Sequence, residues 1–202
     1  SGNWNPDEVT FSELIGGALI DTDSSKPYPF YLSYPLDTDV AELGSPNEWQ
    51  AEWKWDGIRG QLVKRNGQLF VWSRGEELMT ESFPEYALLS DFLPDGTVLD
   101  GEIICYQNNR PLPFSTIQSR INRKKVSRKA LAEAPVSFIA YDLLELNGAD
   151  LRQSALELRI QQLHHIVDTV NSAFQHTRSQ SPLLTSVQLL FSTWDELKQL
   201  QA

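Results

Sequence analysis

The sequence predicts a mixed α+β domain of antiparallel hairpins with flanking helices, rather than a succession of regular strand–helix–strand units. Three observations carry this expectation. Alternating apolar runs rich in tryptophan, valine and isoleucine occupy 48–73, 97–106 and 136–146. Asn66-Gly67 and Asn147-Gly148 supply residue pairs suited to tight turns. Leu156, Ile160, Leu163, Val167 and Val170 recur at helical spacing, the pattern of one buried helix face.

In chain order, residues 1–27 read as a linker or the tail of a preceding segment. Gly16-Gly17 and DTDSSKP break any pattern there, although DEVTFSELIGGALI has the makings of a short helix. Pro27, Pro29 and Pro35 limit regular structure around YPFYLSYPL. EWQAEWKW predicts a strand, IRGQLVKR a second, and QLFVWSR returns across the Asn66-Gly67 turn. TESFPEYALLSDF reads as a helix closed by LPDG, and TVLDGEIICY as a strong strand. PFSTIQSRINRKK and SRKALAEA read as short helices, and PVSFIAYDLLELNG as another strand. Ser154 is the expected cap of the following helix. VQLLF predicts a last strand, and Thr193 with Glu196 forms a capping-box pattern. The chain stops about two turns into the helix so opened, and residues 28–202 are therefore expected to be the front part of a longer domain.

The chain has 202 residues, 41% of them hydrophobic, enough for a sizeable core. No apolar run approaches the length of a membrane span, and the N-terminus lacks the pattern of a signal peptide. A single cysteine, Cys105, excludes an internal disulfide framework, and His164-His165 lacks zinc-site spacing. The formal charge of −10 argues against general affinity for nucleic acid. RINRKKVSRK, at 120–129, is the local exception. It holds Arg120, Arg123, Lys124, Lys125, Arg128 and Lys129 and no acid, whereas the rest of the chain sets 11 basic residues against 27 acidic ones. Composition leaves two readings of this segment open, a phosphate contact or a solvated helix face.

Lys54 stands between Trp53 and Trp55, with Asp56-Gly57 and Arg59 following. A free lysine titrates near about 10.4, so covalent work requires a setting that favours the amine. On a strand the two indoles would point away from Lys54 and pack the sheet. Arg59 can place a cation in the same pocket as Lys54, a residue type suited to phosphate and ribose, and Arg74 directly follows an apolar strand. Glu102 lies inside an apolar strand, where a carboxylate, if buried, needs a partner, sugar hydroxyls or a metal. Tyr141 ends an apolar run and offers a face for stacking a base.

KWDGIR, VWSRGEE, LDGEII and FIAYDLL, in that order, resemble the nucleotidyltransferase motifs of ATP-dependent DNA ligases, with flanking segments similar to the bacterial type. The resemblance covers about residues 28–202. It implies an ATP-grasp-like nucleotidyltransferase fold with mainly antiparallel sheets, truncated at the C-terminus, with residues 1–27 a linker or the tail of a preceding DNA-binding domain. Lys54 would be the catalytic nucleophile, forming lysine–AMP from ATP and passing AMP to the 5′-phosphate of a nick. Glu52 would read the adenine amino group, and Arg59 and Arg74 would meet ribose and phosphate. Glu102 would touch the ribose or assist Mg2+, and Tyr141 would stack on adenine. Arg120, Arg123, Lys124 and Lys125 would contact DNA. The partners implied are ATP and nicked double-stranded DNA, with no membrane, in a monomeric, cytoplasmic, nucleoid-associated enzyme of repair, replication or recombination. The family's acidic Glu-Gly motif, lysine-pair motif and OB-fold domain are not in this sequence, so full ligation by the chain alone is in doubt. An RNA ligase, a GTP-using capping-type enzyme and a non-catalytic nucleic-acid binding module remain the alternatives.

Overall fold

A computed structural model describes residues 25–121, 126–175 and 181–201. Nine strands occur among them: β1 (Ala51–Glu52), β2 (Ile58–Arg65), β3 (Gln68–Ser73), β4 (Thr97–Gln107), β5 (Arg110–Pro111), β6 (Val136–Leu146), β7 (Ala149–Asp150), β8 (Leu183–Thr185) and β9 (Gln188–Leu189). Four α-helices accompany them: α1 (Phe114–Gln118), α2 (Arg128–Glu133), α3 (Leu156–Phe174) and α4 (Trp194–Gln201). The main sheet runs β3-β2-β4-β6-β7, with β5 on β4 and β8 parallel to β6; its other pairings are antiparallel. β1 and β9 form a separate two-stranded ribbon. The expected α+β class is the one observed.

Strand alternation gives the sheet two faces. Leu62, Leu99, Ile103, Phe138, Ala140 and Leu143 point into the main core and meet Ile160, Leu163, Val167 and Val170 of α3. Each large side chain buried there contributes about 1.5–3 kcal/mol relative to exposure. The opposite face has a small apolar patch of Val63, Val98 and Leu144, covered by Tyr28, Phe70 and Trp72. The rest of that face carries Arg59, Asp100, Arg65 and Glu145 in ion pairs.

Several elements differ from the sequence-based expectation. EWQAEWKW is not one strand: Pro46–Glu48 is a 3-10 turn, β1 holds two residues, and residues 53–56 are irregular. Lys54 therefore lies on a loop, and Trp53 is 47% exposed instead of packing the sheet. TESFPEYALLSDF forms two 3-10 segments, Thr80–Ser82 and Pro84–Asp91. Pro84 keeps Phe83 out of helical geometry, and the buried Tyr86 and Leu89 lie one 3-10 turn apart. The N-cap of α3 is Ala155 and has no side-chain cap; the Ser154 carbonyl accepts from Arg159 Nη1 at 2.6 Å. Leu156 is 45% exposed, so the buried stripe begins at Ile160. The last strand shortens to Gln188–Leu189. The capping box forms as expected: the Glu196 N–H donates to Thr193 Oγ1 and the Thr193 N–H to Glu196 Oε2, both at 3.2 Å.

Candidate active site

Arg59 on β2 and Glu102 on β4 are direct cross-strand partners. Arg59 reaches diagonally to Asp100, with Nη2–Oδ2 at 3.0 Å and Nε–Oδ1 at 3.4 Å. Its Nη1 donates to the Tyr31 carbonyl. Its guanidinium carbon lies 5.8 Å from the ring centres of both Tyr141 and Phe30. Burial opposes the charge on Arg59, but the Asp100 carboxylate outweighs it and holds the guanidinium above its ordinary value. Burial also raises Asp100, more than Arg59 lowers it.

Strand alternation brings Tyr141 to this face, and a β-bulge adds the next residue to it. Gly101 pairs with Ala140 and Asp100 with Asp142, so Tyr141 is an extra residue on β6. As a result Tyr141 and Asp142, consecutive in sequence, line the same cavity. A second shift, at Leu144, brings Glu145 to this face, where it pairs with Arg65. Burial raises the Tyr141 phenol far above its usual range, so the ring stays neutral. The cavity measures about 740 Å3, and Glu52, Arg59 and Tyr141 all line it. Asp100, Asp142, Arg152 and Arg159 line it too, and none of them had been singled out from the sequence. Asp100 was within reach of strand alternation, being two residues before Glu102. Asp142 was not, because regular alternation would send it into the core.

Lys54 and Arg74 are exposed and are not among the cavity-lining residues. Each is tied to the site through backbone. The Arg74 N–H donates to the Arg59 carbonyl at 2.9 Å. The Lys54 loop is pinned on its C-terminal side, where Trp55 Nε1 donates to Ser186 Oγ at 3.1 Å and Gly57 packs against Glu102 and Ile103 of β4. A Cβ on Gly57 would lie 2.4 Å from the Ile103 carbonyl oxygen, so only glycine lets the loop seat this closely on β4. Burial pushes the Glu102 carboxyl up to about 7, with Asp100 and Asp56 adding to the rise and Arg59 and the Gly57 N–H opposing it.

Among the described residues, no three His, Cys, Asp or Glu side chains cluster to hold a metal by themselves. Glu102 is a half-buried carboxylate with Asp56 close enough to raise it. That donor set suits Mg2+ as an ion shared with phosphates, because Mg2+ takes one or two carboxylates and keeps several waters.

The expected DNA contact at Arg120 is corrected. Its side chain is fully buried, with both terminal nitrogens 2.8 Å from Glu85 oxygens. The same nitrogens donate to the Ala134 and Ser82 carbonyls at 2.8 and 2.7 Å. A guanidinium so enclosed cannot meet a DNA phosphate; it ties α1 to the 3-10 segments and α2. Arg123, Lys124 and Lys125 lie outside the described residues.

Solved structures set the class. The ligase domain of M. tuberculosis LigD matches with a TM-score of 0.59 at 23% identity, over 78% of this chain and 46% of that one. Chlorella virus DNA ligase-adenylate matches with a TM-score of 0.57 at 20% identity, over 84% of this chain and 53% of that one. At these identities the likeness establishes the fold, that of the nucleotidyltransferase domains of ATP-dependent DNA ligases. The family follows from sequence: the chain belongs to the ATP-dependent DNA ligase domain family, which it matches over residues 36–198. It is 41% identical over 112 residues to a probable DNA ligase of Opitutus terrae, covering 55% of this chain and 11% of that protein. It is 30% identical over 167 residues to a probable DNA ligase of Sorangium cellulosum, covering 80% of this chain and 31% of that protein. The chain thus spans less than a third of the length of either relative.

Proposed function

We propose that this chain carries the adenylation step of an ATP-dependent DNA ligase, with Lys54 as the nucleophile. The observation that supports the reading is the convergence of Glu52, Arg59 and Tyr141 on one cavity of about 740 Å3, beside a loop that carries Lys54 and packs against Glu102. That volume is in the ordinary range for a nucleotide-sized ligand. Tyr141 stacks on the adenine, and Glu52 accepts a hydrogen bond from its amino group. That preference disfavours guanine, which presents a carbonyl oxygen at the same place. Arg59, held in place by Asp100, and Arg74, joined to it through backbone, meet ribose and phosphate.

Lys54 Nζ, as the neutral amine, attacks the α-phosphorus of ATP in line. The N–P bond forms while the bond to the bridging oxygen breaks, pyrophosphate leaves with the electron pair, and the surplus proton on nitrogen passes to solvent. Glu102 would hold Mg2+, which would supply charge neutralisation for the leaving pyrophosphate. In the whole enzyme AMP then moves to the 5′-phosphate of nicked DNA, and a 3′-hydroxyl displaces it, sealing the strand in repair, replication or recombination. Arg123, Lys124 and Lys125 are the proposed DNA contacts of the basic segment, without Arg120.

The test is incubation with Mg2+ and ATP labelled at the α-phosphate, followed by denaturation, with GTP alongside. Label retained from ATP and not from GTP is the expected result. Equal labelling by GTP would move the chain to a capping-type activity. Binding of nicked DNA with no covalent nucleotide, here and in the longer protein, would support the non-catalytic module instead.

A further inference from the structure

Resting on the reading of Tyr141 as the base platform, we infer that Asp142 and Arg159 form a positioning pair that aims the Tyr141 ring. The bulge at Tyr141 is the structural fact that needs a cause. An inserted residue leaves the strand pairing disrupted at that point, and something else must fix the backbone. Asp142 does so from both sides. Its Oδ1 accepts the N–H of the next residue, Leu143, at 2.8 Å, fixing the strand directly after the bulge. Its two oxygens also receive Arg159 in a bidentate pair, Nε to Oδ1 at 2.8 Å and Nη2 to Oδ2 at 3.0 Å. The remaining terminal nitrogen, Nη1, donates to the Ser154 carbonyl at the start of α3. The guanidinium therefore fastens α3 to the residue that follows Tyr141.

The pair is largely enclosed, with side-chain exposures of 15% for Arg159 and 21% for Asp142. A fork-on-carboxylate contact in such a place fixes angle as well as distance. Without it, regular pairing with Asp100 would return β6 to strict alternation, turning the side chains after Tyr141 to the other face. Asp142 would leave the cavity, and Tyr141, still on the site face, would lose the anchored backbone beside it that holds its ring 5.8 Å from the Arg59 guanidinium carbon. Arg159 does not touch the reacting atoms in this scheme. It acts through Asp142 on the orientation of the base, so its loss changes how the base sits as well as how tightly the nucleotide binds.

The experiment uses the full chain with ATP and with a 2-aminopurine ribonucleoside triphosphate, whose emission is quenched by stacking on an aromatic ring. Arg159→Met, Asp142→Asn and Tyr141→Ala are compared with wild type, and melting curves show which variants are folded. Arg159→Met is expected to weaken ATP binding about tenfold. At saturating fluorescent nucleotide, its bound-state emission should rise toward that of Tyr141→Ala. Arg159→Met combined with Tyr141→Ala should bind ATP no more weakly than the worse single variant. Asp142→Asn, which keeps an oxygen for the Leu143 N–H, should show the same pattern to a smaller degree and serves if Arg159→Met does not fold. Wild-type quenching at saturation in a folded Arg159→Met or Asp142→Asn would overturn the pair's positioning role, whatever the change in affinity. ATP binding and quenching unaffected by Tyr141→Ala would instead remove the base-platform reading, a separate failure. Absence of ATP binding by the wild type would overturn the proposed function itself.

Discussion

Arg59 and Arg120 each grip a carboxylate with two guanidinium nitrogens, yet one faces a cavity and the other is sealed off. Removing Arg120 leaves Glu85 and the Ser82 and Ala134 carbonyls without their donor. Arg120→Ala is expected to lose about 3–5 kcal/mol in urea unfolding, the cost of breaking a buried pair. It should leave the salt dependence of any DNA binding unchanged, because no phosphate contact is lost. A shallower salt slope in this variant would restore Arg120 as a DNA contact. A sequence cannot reveal that one member of a basic run turns inward, since the Glu85 that draws it in lies 35 residues away. Glu102 was more legible: a carboxylate amid apolar strand residues was expected to need a partner, and it has the Arg59 cation directly across the sheet. Its carboxyl, raised by burial to about 7, holds its proton more tightly in the folded chain than in the unfolded one. Its stabilising contribution is therefore complete below its ordinary value of 4.5 and is lost as pH rises through about 7. Glu102→Gln should consequently gain melting temperature relative to wild type between about pH 5 and about pH 8. Parallel profiles would contradict the shift.

At the scale of elements, local chemistry was readable wherever neighbours in sequence decide the outcome. Asn66-Gly67 and Asn147-Gly148 take the positive φ values their turns require. The Thr193–Glu196 box caps α4, and Thr193→Ala is expected to cost that helix about 1 kcal/mol, seen as faster amide hydrogen exchange confined to α4. Unchanged exchange would mean that packing, not the cap, holds the helix. The limits of β1, the 3-10 geometry after β3 and the two shifts in β6 were not readable, because pairing partners distant in sequence set them. Gly57 joins loop to sheet at such a point. Gly57→Ala should lift the Lys54 loop off Glu102 and lower adenylation about a hundredfold with only a modest change in melting temperature. Near-normal labelling would show that the seating is dispensable.

In the whole molecule, one face of the antiparallel sheet carries the core and the other carries the charged groups. The four motifs are strung over about 90 residues, and the β2-β4-β6 order brings Arg59, Glu102 and Tyr141 onto adjacent strands. Motif order in the sequence was enough to anticipate this gathering, but not the path by which Lys54 joins it, since Lys54 stands on a loop held by the Trp55 hydrogen bond and by the packing of Gly57 on β4. The central claim is that this lysine becomes covalently bonded to AMP. Its most direct test is tandem mass spectrometry of the chain after exposure to ATP and Mg2+, with the adduct located by peptide fragmentation and Lys54→Ala as the control. The account predicts a single AMP adduct on the peptide holding Lys54, at that side chain, and none in the variant. An adduct on another residue, or one that survives Lys54→Ala, would contradict it.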